Sequence, residues 1–491
     1  MDADDYLAYI LIICVLSSKI SKYMMNTNNK KLNPGLLELD LFCKGMKIDQ
    51  SCDLEHDARM VTRTRAGLGS GLEIIIPAHP EDIYMNVPLL EKFVKDSPYT
   101  LIKRDGQYII TAQHCRNQKT PLFPLFARER ERVIDYPPLI PPFARGDTGG
   151  SKNTFPKTSP HENGEKKYLQ DNTIKEEEIV AVIRLPRQPV FYTQKTSNGT
   201  LMSRVGTMQG TYLAIYPAQV CGYWKPEDKV NCRFCSTGLN VGYSEEGEKR
   251  VQDVVETAIA AKKQEGVTFV HFNTGYYDGN ELDVVEPYVR AIKEETGLLV
   301  GVQCPPCKDL SKYNKLKALG VDHLSFCFEL YNPEYFQKYC PGKHKTLTQQ
   351  AFFDAMEYAS KLWGKGRVSG EIIAGIEPIE DTLKAIDYIT NVGAFPTICV
   401  FRPTIGTEME DYPSPKYEDM TKIFRRMYES LIRNNIPIGI APNIHVSLVV
   451  QPTEGKYFIE RKTLGYYKYQ LMLFLLETIY RPLFRLKMMF H

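Results

Sequence analysis

Blocks of apolar and polar residues alternate from Tyr212 onward, and the blocks follow two different periods. Strand-like runs rich in apolar residues occur at 212–216, 267–272, 298–303, 321–328, 367–374 and 394–401. Such runs are typical of strands that are buried on both faces of a parallel sheet. The segments between them carry apolar residues three and four positions apart, which is the period of an amphipathic helix. The pattern therefore predicts six strands, each followed by a helix.

The sequence also predicts where several of these helices begin and end. Gly266 and Gly393 follow apolar helical stripes and are expected to end them, since glycine readily adopts the backbone conformation of a helix terminus. Thr348 is expected to cap the helix that follows the fourth strand. Ser414 is expected to cap the last helix, with Pro415 at its first position.

Alternating strands and helices imply right-handed crossovers and a parallel sheet, and six such units make a partial (β/α)6 barrel of the TIM type. We expect this core at 180–450. An N-terminal α+β domain is expected at 1–136, a flexible linker or insertion at 137–179, and a C-terminal capping extension at 451–491.

Two terminal apolar segments are too short to cross a bilayer as helices. The run at 6–16 follows three Asp residues rather than Lys or Arg, and no cleavage site is evident. The run at 471–480 is followed by Arg481 and Arg485, and we expect it to form a docking helix.

The composition gives no electrostatic reason to expect nucleic acid or a membrane as partner. The 491 residues contain 61 Lys and Arg against 59 Asp and Glu, for a formal net charge of +2. The 12 cysteines have no regular pairing, which favours a reducing, cytoplasmic location.

The loop after the first strand carries Cys221, Cys232 and Cys235, the last two spaced C-x-x-C. Three thiolates on one loop suit either zinc or an iron–sulfur cluster, because thiolate is a soft ligand. Four thiolates close a cluster, whereas three leave one iron open to a substrate. The carboxyl ends of barrel strands are where ligands bind, and this loop follows such an end.

The segment C-R-F-C, directly after the first strand of a β/α series, resembles the radical S-adenosylmethionine (SAM) superfamily. Its usual spacing is C-x3-C-x-aromatic-C, and here ten residues separate Cys221 from Cys232. The resemblance covers about 206–443 and is nearest to biotin synthase and lipoyl synthase, or to Elongator-like members. It implies a [4Fe-4S] cluster on Cys221, Cys232 and Cys235, with SAM on the remaining iron.

The resemblance also implies residues that contact SAM. Phe234 is the aromatic before the last cysteine. The turn at Asn273, Thr274 and Gly275 stands where the family binds the SAM amino group, and Glu329 stands where it often binds the ribose.

Ile372, within G-E-I-I-A-G-I-E, is the expected adenine contact, and Arg402 at the sixth strand end is expected to bind a carboxylate. The alternative for Ile372 is an ordinary buried strand. The alternative for Arg402 is an ion pair with the acids at 408–411. Cys304 and Cys307 are either buried rim thiols or ligands of an auxiliary cluster with Cys327 or Cys340.

Two other motifs, the glycines near position 70 and the polar residues after the last unit, have simpler interpretations. Gly67, Gly69 and Gly71 precede an apolar run rather than following one, so we expect a turn into a strand and not a phosphate loop. Asn443 and His445 follow the last unit, and His445 is expected in the core or facing the cavity.

The family's function would be reductive cleavage of SAM to a 5′-deoxyadenosyl radical, which abstracts hydrogen from a small-molecule substrate that the sequence does not identify. A flavodoxin or ferredoxin would supply the electron. The alternative is a β/α binding protein stabilised by zinc or iron–sulfur, without radical catalysis.

Overall fold

The structure, a computed structural model, describes residues 33–54, 57, 60–61, 71–113, 177–225 and 229–489. The described residues of 32–112 and 178–491 belong to one compact unit. The apolar run at 6–16, Gly67, Gly69 and most of the expected linker lie outside the described residues. The expected domain boundaries stay a prediction.

The described strands fall into three sheets. Their bounds are β1 (Lys47–Ile48), β2 (Met60–Val61), β3 (Gly71–Ile76), β4 (Ile83–Val87), β5 (Tyr99–Arg104), β6 (Gln107–Gln113), β7 (Glu177–Ile183), β8 (Thr207–Gln209), β9 (Tyr212–Ile215), β10 (Phe269–Asn273), β11 (Leu299–Gln303), β12 (His323–Glu329), β13 (Val368–Ala374) and β14 (Phe395–Val400).

The described helices mostly follow the strands of the largest sheet. Their bounds are α1 (Pro34–Lys44), α2 (Glu91–Val94), α3 (Met202–Val205), α4 (Val251–Glu265), α5 (Glu281–Thr296), α6 (Lys312–Ala318), α7 (Pro333–Tyr339), α8 (Pro341–Thr346), α9 (Gln349–Trp363), α10 (Ile379–Asn391), α11 (Tyr417–Asn434) and α12 (Leu464–Met489).

The largest sheet is a half-barrel with the strand order β14-β13-β12-β11-β10-β9-β8. Strands β9 to β14 pair in parallel in chain order, and β8 adds an antiparallel edge beside β9. Each parallel strand is followed by at least one helix. The predicted partial (β/α)6 barrel is therefore confirmed. The prediction succeeded because the fold class depends on long apolar runs, which tertiary packing does not override.

Helix ends agree with the sequence where glycine sets them. Gly266 takes a left-handed conformation with φ of 69° and donates its N–H to the carbonyl of Ala261, which ends α4. Thr348 precedes α9 as expected, but its side chain makes no capping hydrogen bond. The predicted start at Ser414 and Pro415 is wrong, since α11 begins at Tyr417 with Lys416 as its cap.

The half-barrel strands present alternate residues to their two faces. On β13, Ile372 is fully buried in the hydrophobic core, whereas Ser369 and Glu371 line the inner cavity. Gly301 on β11 lets the Phe269 and His271 rings lie close to the sheet, since a Cβ there would lie 2.5 Å from the Phe269 ring and 2.7 Å from the His271 ring. Ser369 and Glu371 thus border a cavity on the inner face of the sheet.

The N-terminal strands form two small sheets, with orders β1-β5-β6-β7 and β2-β3-β4. Ile75 of β3 bridges Arg184, just beyond β7. At the other end of the described chain, α12 contains Pro482 and packs Tyr466 and Tyr469 into the core. None of the described helices combines the length and apolar character that crossing a membrane requires.

Candidate functional site

The cysteine loop after β9 lies on the wall of a cavity inside the half-barrel. The cavity holds about 880 Å³, and Cys221, Cys232 and Cys235 all line it. Phe234, between the last two cysteines, lines it as well. A volume of this size is within the range of small-molecule binding sites.

Backbone N–H groups hold two of the three thiols. Tyr276 N donates to Cys221 Sγ at 3.3 Å, and Thr237 N donates to Cys235 Sγ at 3.5 Å. Gly222 N donates to Tyr276 O at 2.9 Å, and the Tyr276 ring stacks on Tyr223 at 4.5 Å between centroids. The loops after β9 and β10 are therefore joined next to Cys221.

The third thiol is oriented differently. Cys232 is hydrogen-bonded to Cys340, which lowers the pKa of Cys232. Burial raises the pKa of Cys221 to about 11 and also raises the pKa of Cys235. Within the described residues, no three His, Cys, Asp or Glu side chains converge as metal ligands. The three cysteines thus share one cavity wall, and their role as a ligand set stays a prediction.

The turn after β10 contacts the cysteine loop closely. Asn273, Thr274 and Gly275 line the cavity. A Cβ on Gly275 would lie 2.4 Å from Cys221 Cβ and 2.5 Å from Tyr216 Oη. No side chain can occupy that space, so glycine is what permits this approach.

Glu329 ends β12 in a strained conformation. Its φ is 68°, and the pairing of β12 with β13 shifts register between Cys327 and Glu329. Positive φ is uncommon for a residue other than glycine, and strained conformations of this kind cluster at functional sites. The carboxylate of Glu329 pairs with Lys343 Nζ at 2.7 Å, and the same ammonium donates to Cys327 O at 2.6 Å.

Lys343 and Glu371 are cavity residues that the sequence did not reveal. Glu371 accepts a hydrogen bond from Gln303 Nε2 at 2.7 Å and one from the Cys327 thiol. Burial raises the pKa of Glu371 to about 7. A charged residue inside an apolar parallel strand is a signal that could have identified Glu371. Lys343 is on a short helix, where the sequence offers no such contrast.

Two predicted SAM contacts lie away from the cavity wall. Ile372 is in the core behind the strand, and Arg402 is not among the described residues that line the cavity. Arg402 donates to Asn86 Oδ1 at 2.8 Å and to Asn86 O at 2.7 Å, and its guanidinium lies 5.7 Å from the centre of the Phe42 ring. The structure therefore places this guanidinium against the N-terminal segment.

The remaining candidates are dispersed around the barrel. Cys304 lines the cavity, and the thiol of Cys307 donates to Asp309 O at 3.1 Å. Asn443 and His445 both line the cavity, and the His445 ring stacks on Tyr84 at 5.0 Å.

Comparisons with known proteins add one sequence relative. Bacteriochlorophyllide c C-7(1)-hydroxylase of Chlorobaculum limnaeum is 26% identical over 158 residues. The match covers 31% of this chain and 39% of that protein, so it spans well under half the length of the relative. No family model matches the chain.

Solved structures give partial overlaps. Methylornithine synthase is 21% identical, with a TM-score of 0.35, and the match covers 44% of this chain and 61% of that one. A radical SAM methyltransferase from Sphaerobacter thermophilus is 13% identical, with a TM-score of 0.36, over 47% of this chain and 67% of that one. One of these partial matches is thus to a protein named as a radical SAM enzyme, the superfamily that the cysteine loop resembles.

Proposed function

We propose that this chain is a radical SAM enzyme that holds a [4Fe-4S] cluster on Cys221, Cys232 and Cys235. The observation that carries the proposal is the position of these cysteines, on one loop beyond the carboxyl end of the first barrel strand and on the wall of one cavity. When bound, the cluster supplies the electron that cleaves SAM to a 5′-deoxyadenosyl radical.

The donor set suits such a cluster. Thiolate sulfurs are its usual ligands, and hydrogen bonds to those sulfurs tune its reduction potential. The N–H groups of Tyr276 and Thr237 already point at two of the sulfurs. Cys232 would leave Cys340 to join them, which is a side-chain movement within a buried pair.

The cavity residues have separate tasks in this proposal. Asn273, Thr274 and Gly275 would bind the SAM amino group through their backbone, next to Cys221. Lys343 lines the cavity and Arg402 does not, so Lys343 would bind the SAM carboxylate while keeping its ion pair with Glu329. Glu329 would accept ribose hydroxyls, since a carboxylate accepts two such donors well.

The substrate would occupy the cavity beyond SAM, where Glu371, Gln303 and Cys327 form a half-buried polar group. With a pKa of about 7, Glu371 can hold or accept a proton near neutral pH. The curated relative is named as a hydroxylase, and hydroxylation replaces the hydrogen of a C–H bond, the class of bond proposed here.

Anaerobic reconstitution with iron and sulfide, followed by dithionite and SAM, tests the proposal. We expect 5′-deoxyadenosine from the wild type and from Cys52→Ala, a buried thiol outside the cavity lining. We expect none from Cys235→Ala. Product from Cys235→Ala would refute the ligand assignment, and a colourless protein with one zinc per chain would favour a binding protein.

A further inference from the structure

Helix α12 has an apolar outer face. Its exposed apolar residues recur at intervals of three and four, which places them on one side of the helix: Leu464, Tyr467, Leu471, Leu475, Ile479, Leu483 and Leu486. Leu464, Ile479 and Leu483 are each more than half exposed, at 70%, 63% and 61%. The opposite side carries the buried Tyr469, Leu473 and Phe484.

A row of exposed apolar residues this long is unusual on a protein surface, since large exposed apolar patches mark interaction sites. The row spans most of a 26-residue helix, so it is not a scatter of single residues. Its occupant is indicated by the charges around it.

The exposed charged residues of α12 are all cationic. Lys468 lies near the start of the helix, and Arg485 and Lys487 lie near its end. The acid in α12, Glu477, is half-buried and pairs with Arg481 at 3.4 Å. Arg461 and Lys462, just before the helix, are exposed as well, and the neighbouring acid Glu460 pairs with Arg425. The net charge of the whole chain conceals this local excess of cations.

An apolar face with exposed cations near both ends suits a helix that lies on an anionic membrane surface, where apolar burial and attraction to anionic lipids add together. Leucine side chains enter the boundary between headgroups and acyl chains, while Lys and Arg contact the anionic headgroups. Tyrosine, present here as Tyr467, is enriched at the same boundary.

The face is also continuous with the cavity. Leu476, Ile479 and Leu483 are exposed on α12 and line the cavity that contains the cysteines. The adjoining cavity wall carries Phe269, Leu299 and Phe395 from the amino ends of the strands. A second copy of the chain on this face would cover these lining residues, whereas a lipid surface would supply apolar molecules to them.

We propose that α12 docks this protein on an anionic lipid surface, and that the cavity takes an apolar, lipid-dissolved substrate from it. The substrate half of this inference rests on the proposed function. The docking half does not, because it depends on α12 alone.

Co-sedimentation of the full chain with vesicles tests the docking. We expect binding to vesicles of phosphatidylserine and phosphatidylcholine, and weaker binding to phosphatidylcholine alone or at raised salt. The double variant Leu471→Glu/Leu475→Glu should weaken binding at least about tenfold, because it removes two leucines from the apolar face and adds two charges that anionic headgroups repel. Neither leucine lines the cavity.

The matched control is Ile179→Glu/Val182→Glu, which adds the same two charges at exposed apolar residues of β7. It should bind vesicles like the wild type, and circular dichroism checks that each variant is folded. A wild type that stays in the supernatant with anionic vesicles overturns the proposal. A double variant that binds vesicles like the wild type also overturns it. So does a wild type that dimerises, if the double variant is monomeric and neither protein binds vesicles.

The assay needs neither cluster nor SAM, so its failure is distinct from failure of the proposed function. For the substrate half, an apolar substrate supplied in anionic vesicles should be converted faster by the wild type than by Leu471→Glu/Leu475→Glu. SAM cleavage without substrate should be equal in the two proteins. Equal conversion of the vesicle substrate would overturn that half.

Discussion

The backbone N–H of Tyr276 donates a hydrogen bond of 3.3 Å to the thiol sulfur of Cys221. This contact joins the loop after β10 to the loop after β9. It places the predicted SAM-binding turn, Asn273 to Gly275, directly beside a predicted cluster ligand. The two functional segments therefore depend on each other's position.

Gly275→Ala tests that dependence. The new methyl group would lie 2.4 Å from Cys221 Cβ, so the cysteine loop must move away. We expect the variant to fold but to hold less than about a tenth of the wild-type iron and acid-labile sulfide after reconstitution, a loss equivalent to at least 1.4 kcal/mol.

Gly247→Ala is the control for that experiment, because its nearest neighbour would be an ordinary 3.6 Å away. It should bind wild-type amounts of iron. Full iron content in Gly275→Ala would show that the approach of the turn to Cys221 is not required for the cluster.

Glu371 gives the stability a specific pH dependence. Burial raises its pKa from 4.5 to about 7, so the folded state binds a proton that the unfolded state releases between these values. This contribution is fully present below pH 4.5 and is lost as the pH rises through 7. Its size is about 3 kcal/mol.

Glu371→Gln does not titrate and should escape that loss. The melting temperature of the variant, measured relative to the wild type, should rise between about pH 5 and about pH 8. A difference that stays constant over this interval would mean that Glu371 is ionised throughout.

Lys343 and Glu329 form a largely buried ion pair, with side chains 11% and 15% exposed. Lys343→Met leaves the Glu329 carboxylate without this cation and should cost about 3 kcal/mol in the free energy of unfolding. Adding Glu329→Gln should recover part of that cost, because the uncompensated charge is gone.

Urea unfolding of the two single variants and the double variant measures the coupling between them. Strict additivity of the two single changes would contradict a direct ion pair.

The sequence predicted the parts of the structure that depend on local periodicity. The six parallel strands, from β9 to β14, follow from runs rich in apolar residues, and Gly266 ends α4 because its conformation is local. The start of α11 was missed because Ser414 and Pro415 match a local capping pattern that the chain does not use.

The cavity could be predicted only in part, because it depends on register between distant strands. Glu371 meets Cys327 through the pairing of β12 with β13, and Gln303 approaches them from β11. Arg402 was predicted at a strand end without knowledge that Asn86, far away in sequence, would accept its hydrogen bonds. Neither of these contacts can be inferred from the spacing of residues along the chain.

Electron paramagnetic resonance of the dithionite-reduced, reconstituted protein tests the central claim most directly. A cluster held by three cysteines has an iron open to SAM, so saturating SAM should change the spectrum of the wild type, and Cys235→Ala should give no such cluster signal. A [4Fe-4S] spectrum that SAM leaves unchanged, or a protein that binds no iron, would contradict the claim.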